Sequence, residues 1–407
     1  MKIYDINYNG NYVIMSDIHG NYEAFKAIIE DVIDTYGKSI DGFIFLGDYA
    51  GDYPNGREVV ELMIKLNKKY KCYMVTGNRE TGMLKKFYEC TKNNFKDGHI
   101  SIEEAENLTG WSINTSMGAV LVDACKMTKE QIEFLIQMPE TLILRNKKQT
   151  ILLKHKTPLT KEEINLLERE SKEFEKKEII LLTGHTHDIH DKKYKNIRHF
   201  NPGAVALTDT GFPLAYYGVL NHGKILSKSV VYDYYKAISE LEKNSILFEK
   251  CGQWGIPLRT SILTGINVTA LYANERKRLI EVFQNLNYEY AKKIIESNKE
   301  LSKKLAKELL QKLTIEERPF SIGRYGNTNP YGEHLEVNIY QSDEKGNINI
   351  IPKQIISDDI IPKEKLPIRN NLPIPTELID EIAMEYINGY LEYAIYGSYH
   401  INKNRWR

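Results

Sequence analysis

The sequence predicts an α/β fold, and three observations predict it. Short apolar runs at Tyr12–Met15, Phe43–Leu46 and Cys72–Val75 have the length and composition of buried strands. Each stops abruptly in a polar cluster. Each of the first two clusters is followed by a stretch of helical periodicity before the next apolar run begins. In such a sheet a site forms beyond the carboxyl ends of the strands, so the polar clusters are where function is sought.

In order along the chain, residues 2–7 and 11–16 read as two strands of a hairpin around Asn9-Gly10, a favoured turn dipeptide. The second strand is apolar on both faces and ends in Ser16-Asp17-Ile18-His19-Gly20-Asn21. A helix follows from Tyr22 to about Tyr36, with Ala24, Ile28, Ile29, Val32 and Ile33 on one stripe. The next strand ends in Gly47-Asp48-Tyr49, and a helix over about 57–69 leads to a third, ending in Thr76-Gly77-Asn78-Arg79-Glu80. The stretch 91–116 is polar and irregular and reads as a surface excursion. Gly118–Val122 is expected as a strand, and Thr128 as the cap of a helix reaching Met138. Thr150–Leu153 is a strand ending at Lys154-His155-Lys156, followed by a charged helix over about 161–176. The apolar run Ile179–Leu182 stops at Thr183-Gly184-His185-Thr186-His187, whose i, i+2 histidines would leave a strand end on the same side. Asn201-Pro202-Gly203 makes a turn, and Leu214–Leu220 with Lys224–Tyr232 reads as a closing hairpin.

Beyond about residue 234 the texture changes, which divides the chain into 1–234 and a mainly helical accessory domain, 235–407. Helical periodicity runs from Tyr235 to Leu313, and a β-hairpin is expected from Leu335–Tyr340 and Asn347–Ile351. A proline-rich connector spans Pro352–Pro375, and a last amphipathic helix runs from Thr376 to about Tyr396. This region carries no chemical motif and suits a packed accessory unit or an oligomer interface; Gly323–Asn327 reads as an exposed loop.

Composition narrows the function. Lys+Arg 55 against Asp+Glu 55 leaves no basic surplus, which argues against nucleic acid as the partner. Cys72, Cys90, Cys125 and Cys251 form no CxxC pair, so reduced thiols are expected rather than a disulfide framework. The N-terminus has no secretory h-region and no apolar run approaches membrane-spanning length, so a cytoplasmic protein with no membrane contact is expected.

The strand-end residues are Asp17, His19, Asp48, Asn78, His155, His185 and His187. Singly, each has an ordinary role as a helix cap, turn anchor or core histidine. Together they are expected to converge at the carboxyl ends of strands in one sheet. Mixed carboxylate, amide and imidazole donors suit two divalent ions of the Mn, Fe, Ni or Zn type, with Mn favoured. Two ions about 3.5–4 Å apart can clamp a phosphate between them.

Asp17-Ile18-His19, Gly47-Asp48, Gly77-Asn78, His155 and Gly184-His185-Thr186-His187 resemble, in order and spacing, the five signature motifs of the calcineurin-like metallophosphoesterases. The resemblance covers about residues 1–232 and implies a two-sheet α/β/β/α sandwich. It implies one metal on Asp17, His19 and His187, a second on Asn78, His155 and His185, and Asp48 bridging them. The implied reaction is in-line attack of a metal-bridging hydroxide on a phosphodiester or phosphomonoester of a small phosphorylated or nucleotide-like substrate. Two alternatives stand beside it: a protein serine/threonine phosphatase of the same superfamily, and a non-catalytic metal-binding scaffold.

The chain departs from the pattern where many members place a histidine after Gly-Asn, for it has Arg79. Arginine stays protonated, so Arg79 is expected to bind phosphoryl oxygens with Asn78 as an electrostatic clamp rather than a proton donor, and Asp48, Asn78 and Arg79 are the expected catalytic residues. Glu80 could orient it; the plainer reading is an Arg79–Glu80 surface pair. Lys156 stands where relatives often have glycine, and with Lys154 it reads as a solvated basic pair. Asn21 and His190 lie near ligands in sequence, His190 with a structural role.

Overall fold

The computed structural model describes residues 2–113, 117–173, 178–208 and 214–244, a few positions between 246 and 331, and two strands at 337–342 and 348–353. Two sheets pack face to face. The first carries β1 (Lys2–Asp5), β5 (Thr141–Arg145), β6 (Gln149–Lys154), β7 (Glu178–Leu182), β8 (Ile189–Tyr194) and β9 (Ile197–Pro202), in the order β1-β5-β6-β7-β9-β8. The second carries β2 (Asn11–Met15), β3 (Ile40–Phe45), β4 (Lys71–Met74), β10 (Leu214–Asn221) and β11 (Lys224–Val231), in the order β11-β10-β2-β3-β4.

Period-two alternation in these strands builds three layers of core. Ile14, Ile44 and Leu46 of the five-stranded sheet meet Leu153, Ile180 and Leu182 of the six-stranded one between the sheets. Val13, Met15, Phe43 and Phe45 face the other way, onto α1 (Tyr22–Tyr36), α2 (Gly56–Lys69), α5 (Gly118–Lys126) and their neighbours. On the far side Leu152, Ile179 and Leu181 pack against α7 (Lys161–Glu173) through Leu167. The result is the expected α/β/β/α sandwich. Residues buried on both faces explain why these strands read as continuous apolar runs.

Several expectations need correction. Residues 2–7 and 11–16 form no hairpin: β1 pairs parallel with β5 in one sheet, whereas β2 lies between β3 and β10 in the other. The Asn7–Gly10 turn, closed by Gly10 N–H donating to Asn7, carries the chain between sheets. Gly118–Val122 is not a strand but the start of α5, buried on every side. A short run apolar all round fits either element, and neighbours decide. After α3 (Lys85–Thr91), the excursion 91–116 contains α4 (Ile102–Thr109), capped by the Ser101 hydroxyl accepting from Glu104 N–H at 3.2 Å. Thr128 does cap a helix, α6 (Lys129–Ile136), in a full capping box with Gln131.

Past the sandwich, α8 (Tyr234–Lys243) lays Ala237, Ile238 and Leu241 into the α1 side of the core. Strands β12 (Val337–Ser342) and β13 (Ile348–Lys353) pair antiparallel, the hairpin the sequence predicts. Most of the helical stretch to Leu313, most of the proline-rich connector, the last helix, the loop Gly323–Asn327 and Cys251 lie outside the described residues. Among the described residues no helix is long and apolar enough to cross a membrane.

Candidate metal centre

All seven strand-end residues come together, but from two sheets rather than one. Asp17, His19, Asp48 and Asn78 follow β2, β3 and β4, whereas His155, His185 and His187 follow β6 and β7. The site lies at the rim of the interface between the sheets. Nor does strand alternation aim the two histidines of the last motif: both lie past the end of β7 in left-handed turns, with φ of 71° and 63°. They point into different groups.

In the first group, ligand-type atoms of Asp17, His19 and His187 lie within 4.8 Å of one another; in the second, those of Asp48, His155 and His185 do. Asp48 Oδ2 lies 3.4 Å from His155 Nε2 and 4.0 Å from His19 Nε2, so it faces both groups. Asn78 Oδ1 is 3.1 Å from His155 Nε2.

Close backbone approach makes this possible. A Cβ on Gly77 would overlap the Asp48 carboxylate and N–H, and one on Gly184 would overlap Ser16 Oγ and crowd Asp17 Oδ2 at 2.5 Å. Glycine just before Asn78 and just before His185 lets the loops touch. Asp17 Oδ2 then accepts from His185 N–H at 2.8 Å, tying the two sheets' loops together.

Three imidazoles are held from behind. His155 Nδ1 donates to the Leu46 carbonyl at 2.7 Å, His187 Nδ1 to the Leu207 carbonyl at 2.6 Å, and His19 Nδ1 to the Asp52 carboxylate at 2.6 Å. Because these partners only accept, Nδ1 carries a proton and Nε2 is the ring atom turned inward as the ligand atom. His19 Nε2 and His187 Nε2 consequently face each other at 3.2 Å, beside an Asp17 Oδ1 that has no hydrogen-bond partner among the described residues. Ring nitrogens and a buried carboxylate oxygen pointing at one spot are what a cation there would satisfy, and the donor set fits a divalent ion.

Without a cation the same carboxylates favour a second proton on His19 and His155, at the Nε2 that a bound ion would take over. Burial pulls His19 down, but Asp52, Asp17 and Asp48 outweigh it and lift its pKa to about 10. Burial likewise opposes, and the Asp48 and Asp17 carboxylates overcome, for His155, which rises to about 9. Burial would raise Asp17 and Asp48, yet the facing histidines hold both well below the usual carboxylate range. His185, by contrast, is lowered to about 4 by burial and then by His155, and stays neutral.

Glu80 does not pair with Arg79. It is fully buried and accepts N–H bonds from Asp48 at 2.9 Å, Tyr49 at 2.9 Å and Gly77 at 2.7 Å, pinning two motif loops together. Arg79 opens a π-helical turn (Arg79–Leu84), donates through Nη2 to Asp52 Oδ1 at 2.8 Å, and reaches Met83 Sδ through Nη1 at 3.1 Å. Lys154 is drawn away from the site to Glu163 at 2.6 Å, and Lys156 is exposed, so the two do not act as a pair. Asn21 caps α1 by accepting from Ala24 N–H, and His190 stacks on Tyr194 in β8. Asp52 was missed by sequence reasoning; its one signal is a second Asp four residues after Asp48.

A profile of the calcineurin-like phosphoesterase superfamily domain matches residues 11–222, just over half of the chain. The chain belongs to the calcineurin-like phosphoesterase superfamily. A zinc-dependent endopolyphosphatase of Saccharomyces cerevisiae is 38% identical over 72 residues, 18% of this chain and 21% of that protein. An uncharacterized protein of Methanocaldococcus jannaschii is 38% identical over 73 residues, 18% of this chain and 27% of that one. These matches span about a fifth to a quarter of the curated relatives' length. Among solved structures, a metallophosphoesterase from Sphaerobacter thermophilus is 19% identical, with a TM-score of 0.40, covering 63% of this chain and all of that one. In this calcineurin-like phosphoesterase domain the seven motif residues thus stand around one buried, strongly polar centre.

Proposed function

We propose that the chain is a dinuclear metal-dependent phosphoesterase, hydrolysing a phosphodiester or phosphomonoester of a small phosphorylated or nucleotide-like substrate. The observation that carries the proposal is the pair of ligand groups with Asp48 facing both. Asp17, His19 and His187 would hold one ion, Asn78, His155 and His185 the other, with Asp48 shared. When bound, two such ions supply Lewis-acid charge and lower the pKa of a water that can attack phosphorus. The chain's own residues do the rest. Glu80 fixes the Asp48 loop, and the carbonyls of Leu46 and Leu207 hold the imidazoles in the tautomer that offers Nε2. Arg79 lies beside Asp48, its backbone N–H donating to Asp48 Oδ1 at 2.8 Å, where a guanidinium can take up phosphoryl charge. It gives up no proton, so rates should fall as the leaving group becomes more basic.

Manganese suits the mixed oxygen and nitrogen donors; the yeast relative, described as zinc-dependent, makes zinc the second ion to test. Metal-free protein is expected to take up two equivalents of Mn or Zn and then hydrolyse bis-p-nitrophenyl phosphate or p-nitrophenyl phosphate, with linear polyphosphate as a third substrate. Asp48→Ala should lower kcat by more than about 100-fold, since even groups behind metal ligands are worth about 10–100-fold. A folded protein that binds no divalent ion and is inert towards all three substrates sinks the reading.

A further inference from the structure

Asp52 is 1% exposed, and its two oxygens are divided between two partners. Oδ2 accepts from His19 Nδ1 at 2.6 Å and Oδ1 from Arg79 Nη2 at 2.8 Å. One carboxylate therefore stands behind an imidazole of the first ligand group and the Arg79 guanidinium together.

Its own position is fixed. Asp52 lies in the loop between β3 and α2, and the chain on either side of it is tied to one side chain: Gly51 N–H donates to Asp123 Oδ2 at 2.8 Å, and Gly56 N–H, at the start of α2, to Asp123 Oδ1 at 3.0 Å. Asp123 belongs to α5, which is buried along its length. The carboxylate is thus held by helix packing and does not follow its partners.

A carboxylate behind an imidazole fixes the ring and raises its basicity as a ligand. A carboxylate on a guanidinium fixes its plane. Both effects bear on the same centre, because the Arg79 backbone N–H donates to Asp48 Oδ1 and His19 Nε2 lies 4.0 Å from Asp48 Oδ2. Asp52 also gives the guanidinium an anion other than Asp17 and Asp48, whose oxygens an unrestrained arginine would seek. We propose that Asp52 is a positioning residue that sets His19 and Arg79 jointly, keeping the arginine beside the metal groups and out of them. The inference rests on the dinuclear reading above.

The test separates the two. Metal-free wild type, Asp52→Asn, Arg79→Gln and the double variant are titrated with Mn or Co(II) by calorimetry and visible absorption, and kcat and KM are measured on bis-p-nitrophenyl phosphate. Asp52→Asn should weaken one of two metal equivalents by about 10–100-fold and leave the other unchanged. Arg79→Gln should cost much less kcat/KM in the Asp52→Asn background than in wild type, because the guanidinium is already misplaced there. Where Asp52→Asn does not fold, Asp52→Ser takes its place. Two wild-type-like metal affinities in the variant, or independent effects of Asp52 and Arg79, overturn the proposal. A wild type that binds no metal overturns the dinuclear reading instead.

Discussion

Asp17, His19, Asp48, His185 and His187 have φ between 50° and 71°, in the left-handed region that L residues avoid. Such residues are strained by about 1–3 kcal/mol each and persist only where the surroundings over-determine them. Here the over-determination is visible: Asp17 N–H donates to the Gly47 carbonyl, His19 N–H to the Asp48 carbonyl, and His185 N–H to Asp17. The glycines that admit this contact cannot be replaced. Gly77→Ala would drive a methyl into the Asp48 carboxylate. It should cost about 2 kcal/mol or more in urea unfolding and abolish uptake of one metal equivalent; wild-type stability in that variant would refute the packing argument. At this scale the residues around the centre were legible, because aspartate and histidine at strand ends have few competing explanations. Their supports were not. Glu80 reads as orienting or pairing with Arg79, and Asp52 carries no reading at all, since burial of a carboxylate leaves no mark on local sequence.

Among the elements, α5 is the least legible and the most consequential. Its Gly-Ala-Val-Leu-Val opening has strand-like composition, and only its burial on all sides by surrounding helices makes it helical. It brings Asp123 into the core, where burial pushes the carboxyl up to about 7 against the pull of the Gly51 and Gly56 N–H groups. An unfolded aspartate titrates near 3.9, so between about pH 4 and 7 the folded state holds a proton that the unfolded state lacks. Stability contributed by this group therefore falls as pH rises through that window, and the full penalty, of order 2–4 kcal/mol, stands above it. Asp123→Asn should flatten the difference in unfolding free energy between pH 5 and 8 relative to wild type; equal slopes in the two proteins would show that Asp123 is ionised throughout. Helix α4 was legible after all, in Ser101 three residues before Glu104, but a polar surrounding hid it. The false hairpin at Asn9-Gly10 has another cause: a turn dipeptide says that the chain bends and nothing about which edge each strand meets.

In the whole molecule, the centre joins the sheets. Four of its residues come from the five-stranded sheet and three from the six-stranded one, with Asp17 bonded to His185 across the gap. The sequence could say that strand ends converge, but strand order depends on long-range pairing that local pattern does not encode. Ions bound across such a seam stabilise only the assembled state. A bound equivalent at 100 times its dissociation constant adds about 2.7 kcal/mol. Chelation should accordingly lower Tm by several degrees and raise hydrogen exchange at the carboxyl ends of β6 and β7, with Mn or Zn restoring both. Unchanged melting after verified metal loss would mean that the sheets are held without the ions.

The bond from His155 Nδ1 to the Leu46 carbonyl runs from one sheet to the end of the other. It makes the imidazole a gauge of alignment. If the sheets slid past each other by even an ångström, that bond and the Asp17–His185 bond would break and the ring would swing out of register, while every strand kept its own ladder intact. Mechanical shear would thus silence such a centre well before it erased the secondary structure.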